Sequence, residues 1–249
     1  MSWNGVIIAH LPSIVKKNID TTHDVCYTWC VMESLWVIND SDGNGTGSGF
    51  SYYTDDNRTL ILTCDHVATE LGEIRERLVV DGIDVLHYDS KKKDNITVTS
   101  VATRRQLAGT VVEAALCKGP DVAVIEVGVG NLPYLELGDD ADAGDVVDIF
   151  DCCNHCGAHG KKIGEYLSPY LGIVDFYLEK GSSGSPIINS DGRVCGMASG
   201  TTIFDDAKDH EEWSRGQREM YSVELNQKCM LYVEAGRIKE WLSSMGLPT

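Results

Sequence analysis

No run of about 18 consecutive apolar residues occurs in the chain, so it offers no candidate for a membrane-spanning helix. Basic residues are scarce: 21 Lys and Arg stand against 38 Asp and Glu, a net charge of −17. A surface of that sign repels phosphate backbones and anionic membranes, so the expected partners are protein or peptide substrates, with no nucleic acid and no membrane. The N-terminal MSWNGVIIAHLPSIVKK lacks a basic region ahead of its short apolar run, which His10 and Pro12 interrupt. It does not read as an export signal. An even, paired set of cysteines is lacking too. The nine present are irregularly spaced, as expected for reduced thiols in a cytoplasmic or nuclear protein that is not secreted. In that setting the Asn-x-Ser/Thr matches at Asn44, Asn57 and Asn95 are chance occurrences. Neither a Pro-rich or Gly/Ser-rich linker nor a repeat divides residues 1–249, which read as one unit.

What is present is a series of short β runs separated by Gly, Asp and Asn: 30–38, 45–53, 59–64, 96–102, 121–127, 145–150, 170–178, 185–189 and 194–199. Many short strands at such spacing predict an all-β sandwich or barrel architecture. Two segments read as helical. VATELGEIRERL (67–78) is one, as a short helix or turn. The other is EAGRIKEWLSSM near the end, where Ile238, Trp241, Leu242 and Met245 recur at helical spacing before Gly246 and Pro248. TDDN (54–57) and KKKDN (91–95) read as turns, and the charged DDAKDHEEWSRGQRE (205–219) as a solvated insertion.

Three segments carry chemistry. GSSGSP (181–186) places Ser183 between glycines. Gly181 and Gly184 permit a tight turn on which a serine can attack, with the N–H groups of Gly181 and Ser183 facing a developing oxyanion. Alone, the same letters also describe a Gly/Ser hairpin. LTCDHVA (62–68) delivers His66 at the end of an apolar strand, the usual place and type for a general base, though a lone histidine also fits a core edge. GPDVAVIEV (119–127) places Asp121 at the mouth of a buried strand. A carboxylate there needs a partner, and the imidazole of His66 would serve; a turn-forming Asp after Pro120 is the plainer reading. The order His, Asp, Ser along the chain is that of the chymotrypsin architecture, distinct from the subtilisin and α/β-hydrolase orders.

Taken together, GTGSGF (45–50), ILTCDHV (61–67), DVAVIEV (121–127), GDVVDIF (144–150), GSSGSPIINSDGRVCGMASG (181–200) and CMLYVEAGRIKEWL (229–242) resemble trypsin-like serine peptidases, the HtrA/Deg type more than digestive trypsins. The resemblance implies two packed six-stranded antiparallel β-barrels with a C-terminal α-helix. The first barrel would span about 25–130 and hold His66 and Asp121. The second would span about 131–233 and hold Ser183, and 234–246 would form the closing helix. It implies a serine endopeptidase acting through a His66–Asp121–Ser183 triad and an acyl-enzyme, with no metal or organic cofactor and with a possible homo-oligomeric state. Tyr177, Leu178, Ser199, Gly200 and Thr201 would line the specificity pocket. Tyr177 at its base predicts a small or medium apolar residue before the cut rather than Lys or Arg.

The chain departs from the pattern at Ser182, where digestive trypsins carry an Asp that pairs with a new N-terminus, and at Asp65, whose charge would raise the pKa of His66 modestly. No PDZ domain fits after the closing helix. DCCNHCGAH (151–159) holds Cys152, Cys153, His155, Cys156 and His159, which could ligate zinc, but the spacing matches no common zinc motif, and a loop of reduced thiols is the simpler reading. An alternative keeps the fold without the chemistry, as an inactive protease-fold scaffold acting in protein–protein interaction. In another, the acidic 205–219 segment is the functional part.

Overall fold

The computed structural model describes residues 31–40, 43, 45–80, 83–116, 119–152, 156–165, 171–177, 179–204 and 227–249. Fourteen strands and two helices lie within them. In chain order the strands are β1 (Leu35–Asn39), β2 (Gly45–Thr54), β3 (Thr59–Thr63), β4 (Thr69–Val80), β5 (Ile83–Lys92), β6 (Ile96–Ser100), β7 (Gln106–Ala114), β8 (Ala123–Val127), β9 (Val146–Asp151), β10 (Cys156–Glu165), β11 (Leu171–Val174), β12 (Pro186–Ile188), β13 (Val194–Phe204) and β14 (Gln227–Glu234). The helices are α1 (Asp65–Ala68) and α2 (Ala235–Ser244).

Two closed six-stranded barrels result, in the orders β1-β2-β3-β8-β7-β6 and β10-β11-β14-β13-β12-β9, with all the pairings within them antiparallel. Closure leaves no free sheet edge in either. The all-β expectation, with two six-stranded barrels and a closing helix, holds. α2 buries Ile238, Trp241 and Leu242 on one face, as their spacing predicts.

The central strands are apolar on both faces. Every residue of β3 is buried, and β8 buries Ala123, Val124, Ile125 and Val127. β6 alternates, with Ile96, Val98 and Ser100 buried. The main core joins the apolar residues of these strands to Cys152, Ile188, Val194, Met197 and Val233, so the barrels share packing across their boundary. In the second barrel the Tyr232 ring is fully buried, and Cβ atoms on Gly172 or Gly196 would come within 2.2 and 2.3 Å of it. The bare backbones of those glycines make room for the ring.

Three readings need correction. Residues 67–78 do not form a helix beyond Ala68; β4 pairs with β5 as a separate two-stranded sheet. Glu- and Arg-rich residues are good helix formers, and here strand pairing overrides that weak local preference. The first strand begins at Leu35, after a helical stretch at 31–33. Lys91 and Lys92 belong to β5 rather than to a turn. The 205–219 segment lies outside the described residues.

Among the described residues, one buried ion pair ties β10 to the end of β14, where α2 begins. The Lys162 ammonium donates to the Glu234 carboxylate and to the Ala141 carbonyl at 2.7 Å, with both charged side chains buried. Replacing Glu234 with leucine removes the carboxylate partner of the buried Lys162 side chain. We expect a loss of about 3–5 kcal/mol of stability, read as a lower urea midpoint at unchanged slope.

Candidate active site

β3 ends at Thr63, and Cys64 in extended conformation starts the single turn α1, where Val67 and Ala68 donate back to the Cys64 carbonyl at 3.1 and 3.2 Å. That turn carries His66 out of the barrel, with its side chain 46% exposed. Asp65 faces the other way. It is buried, and its Oδ1 accepts the Leu116 N–H at 3.1 Å, tying the turn to the chain that leads to Asp121.

Asp121 sits just ahead of β8 and receives three hydrogen bonds. Its Oδ1 accepts the His66 backbone N–H at 3.1 Å, and its Oδ2 faces His66 Nδ1 at 2.8 Å and accepts the Ser199 hydroxyl at 2.6 Å. Burial pushes the Asp121 carboxyl up, but the His66 hydrogen bond and charge, with the Ser199 hydroxyl and the His66 N–H, outweigh it and hold the acid below its ordinary range. For His66, burial pulls the imidazole down, and the hydrogen bond and charge of Asp121, with a smaller contribution from Asp65, more than reverse this. The net effect is a pKa above the ordinary value of 6.5. The expected direction of the Asp65 effect holds, though Asp121 contributes more.

Ser183 stands on the turn between Gly181 (φ 100°) and Gly184 (φ 93°), both in conformations that favour glycine. The first barrel clamps this turn. Ser48 N–H donates to the Ser183 carbonyl at 2.8 Å, and Ser48 Oγ to the Gly181 carbonyl at 2.8 Å. Gly184 N–H donates to Ala198 of β13 at 2.7 Å. Ser183 Oγ points toward the Ser199 carbonyl at 3.4 Å, and no hydrogen bond links it to His66 among the described residues. The Ser183 N–H likewise has no acceptor among them.

His66, Gly181 and Ser183 line one cavity of about 310 Å³ together with Tyr177, Ser199, Gly200 and Thr201. Four of the five pocket residues expected from sequence thus reach it; Leu178 lies outside the described residues. Tyr177 is 38% exposed, and its ring holds the Lys228 ammonium 4.8 Å from its centroid. Sequence reasoning missed Thr46, Glu179, Lys180, Ser182, Ala198 and Met230 as lining residues, and the hydrogen bond of Ser199 to Asp121. The hint for Ser199 was its place at the end of an apolar run, where a polar side chain faces the inter-barrel cleft.

Within 151–159 the described residues other than Cys152 lie in strands. Asp151 ends β9 and Cys156 begins β10. Cys152 is buried, and His159 pairs with Asp148. Cys153 and His155 lie outside the described residues. Among the described residues the one group of three metal-ligating side chains is Cys64, His66 and Asp121.

The fold and this cleft define a class, and comparison with known proteins names it. The chain belongs to the trypsin-like peptidase domain family, whose model matches residues 47–197. No curated protein matches it in sequence. Solved structures do. The Rv3671c protease from M. tuberculosis in its active form is 20% identical, with 90% of this chain and 85% of that chain covered at a TM-score of 0.53. The inactive form is 18% identical, with 90% and 94% covered at 0.53. The serine endoprotease from Yersinia pestis is 15% identical, with 88% and 66% covered at 0.57. These likenesses support the chymotrypsin-like fold.

Proposed function

We propose that this chain is a serine endopeptidase. His66 takes the Ser183 proton as the hydroxyl attacks a peptide carbonyl, the N–H groups of Gly181 and Ser183 stabilise the oxyanion, and His66 then protonates the leaving amine. Asp121 holds the imidazole with its proton on Nδ1 and stabilises its charged form. Water releases the acyl-enzyme. The observation that carries this reading is the His66–Asp121 pair opening into the same cavity as Ser183 on its glycine turn. Buried Ala198 and Met230 on the cavity wall favour a small or medium apolar residue before the cut. Glu179 also lines the wall, on an exposed position.

The orientation of Ser183 Oγ toward Ser199 favours a second reading, an inactive scaffold of the same fold. Hydrogen bonds of this kind also tighten when substrate binds. A fluorophosphonate probe separates the two. Labelling of the intact protein, abolished in Ser183→Ala and in His66→Ala, is the expected result. No labelling of the intact protein overturns it. Peptide-library cleavage dominated by Lys or Arg overturns the pocket assignment alone.

A further inference from the structure

Cys64 has no part in the peptidase chemistry, yet its thiol packs against it. The side chain is fully buried, and its S–H donates to the Ala198 carbonyl at 3.1 Å. Burial, then the neighbouring charge of Asp121, hold the thiol well above its ordinary pKa. Cys64, His66 and Asp121 each offer one ligand atom, and these atoms lie within 4.8 Å of one another. On His66 the nitrogen facing the group is Nδ1, 2.8 Å from Asp121 Oδ2. A thiolate, an imidazole and a carboxylate form a donor set that suits zinc, with water in the fourth position. Bond lengths of about 2.0–2.3 Å put neighbouring ligand atoms of tetrahedral zinc about 3.3–3.8 Å apart, so shifts of about 1 Å close this trio on an ion.

One member of the group, Asp121, is also reached away from the substrate cavity. A second cavity of about 1020 Å³, lined by Ala114, Leu116, Pro120 and Trp241, runs beside α2 and reaches Asp121 and Ser199. The acid end of the triad is therefore open to solvent from the side of the C-terminal helix.

We propose that Cys64, His66 and Asp121 form an inhibitory site for zinc and similar soft divalent cations, entered from the cavity beside α2. The binding stands by itself, and its effect on rate rests on the peptidase reading. The ion takes Cys64 as thiolate, releasing one proton to solvent, and takes His66 through Nδ1. The proton that Nδ1 carried passes to Nε2. The nitrogen that should receive the Ser183 proton then carries one already, so the base is switched off. Hard cations, which favour all-oxygen sets, do not compete for this site.

The test uses the full-length chain stripped of metal. Cobalt titration gives a thiolate-to-cobalt absorption band in the unaltered protein that is lost in both Cys64→Ala and Cys64→Ser, with circular dichroism showing each variant folded. Low-micromolar zinc slows fluorophosphonate labelling of the unaltered protein at least about tenfold, and slows each variant less than about twofold relative to its own zinc-free rate, since losing even a ligand's supporting partner weakens metal sites about 10–100-fold. A band unchanged in both variants, equal zinc sensitivity in them, or magnesium acting as strongly as zinc overturns the proposal. If the unaltered protein does not label without zinc, the peptidase reading fails while the cobalt titration still decides the site.

Discussion

Replacing Asp121 with asparagine is expected to slow fluorophosphonate labelling and peptide cleavage by about 10⁴-fold at neutral pH. The geometry gives the reason. Oδ1 of Asp121 accepts the His66 backbone N–H, so an asparagine there keeps its carbonyl oxygen at that position and presents its NH₂ to His66 Nδ1. An amide NH₂ can only donate, so Nδ1 must become the acceptor and the ring proton moves to Nε2. The base then faces Ser183 with the wrong nitrogen protonated. The Ser199 hydroxyl, which donates to the same Oδ2, must reverse as well.

The substitution should also move the pH profile. In the unaltered protein the pKa of His66 lies above 6.5 because the hydrogen bond and charge of Asp121 outweigh burial. Neutral His66 is the reactive form, so rate falls as pH drops through that raised value. In Asp121→Asn the charge is gone and burial dominates, so the acid limb shifts to lower pH while the plateau collapses. Labelling rates measured across pH check this. An acid limb left in place would mean that Asp121 does not govern His66.

Burial and periodicity decide which elements the amino-acid sequence reveals. β3 and β8 were legible because they are buried on nearly all sides and read as nearly continuous apolar runs. α2 was legible because its apolar stripe repeats at helical spacing. The β4–β5 sheet was not. Its register shifts between Leu71 and Ile74 and again between Ile74 and Glu76, and such bulges destroy the two-residue alternation that marks a strand. β10 was also missed, since CGAHGKKIGE has three glycines and a basic pair where β-formers would be expected. For the site, His66, Asp121 and Ser183 stood out through order and local motif. Ser199 reaches Asp121 across the two barrels and Cys64 reaches it within the first, both only by folding, and no spacing along the chain announces either contact.

The nucleophile turn gives the second large effect. Replacing Gly184 with alanine should lower labelling by about 100-fold or more, because displacements near 1 Å at a reacting centre carry losses of that order. Gly184 has φ 93°, and a Cβ there would sit 1.9 Å from the Ser48 carbonyl oxygen and 2.9 Å from Thr63 Oγ1. Neither atom can yield cheaply. Thr63 Oγ1 donates to that same carbonyl at 2.6 Å, and the Ser48 N–H donates to Ser183 at 2.8 Å. The turn must therefore back away from the first barrel, taking Ser183 with it and loosening the Gly184 bond to Ala198. The left-handed backbone alone accounts for about 1–2 kcal/mol of lost stability. Gly246 provides the control: its φ is 70°, and a Cβ there meets nothing within 4 Å. Gly246→Ala should lose a similar amount of stability and keep full labelling, so equal labelling losses in the two variants would show that backbone strain, not collision with Ser48, sets the requirement for glycine at 184.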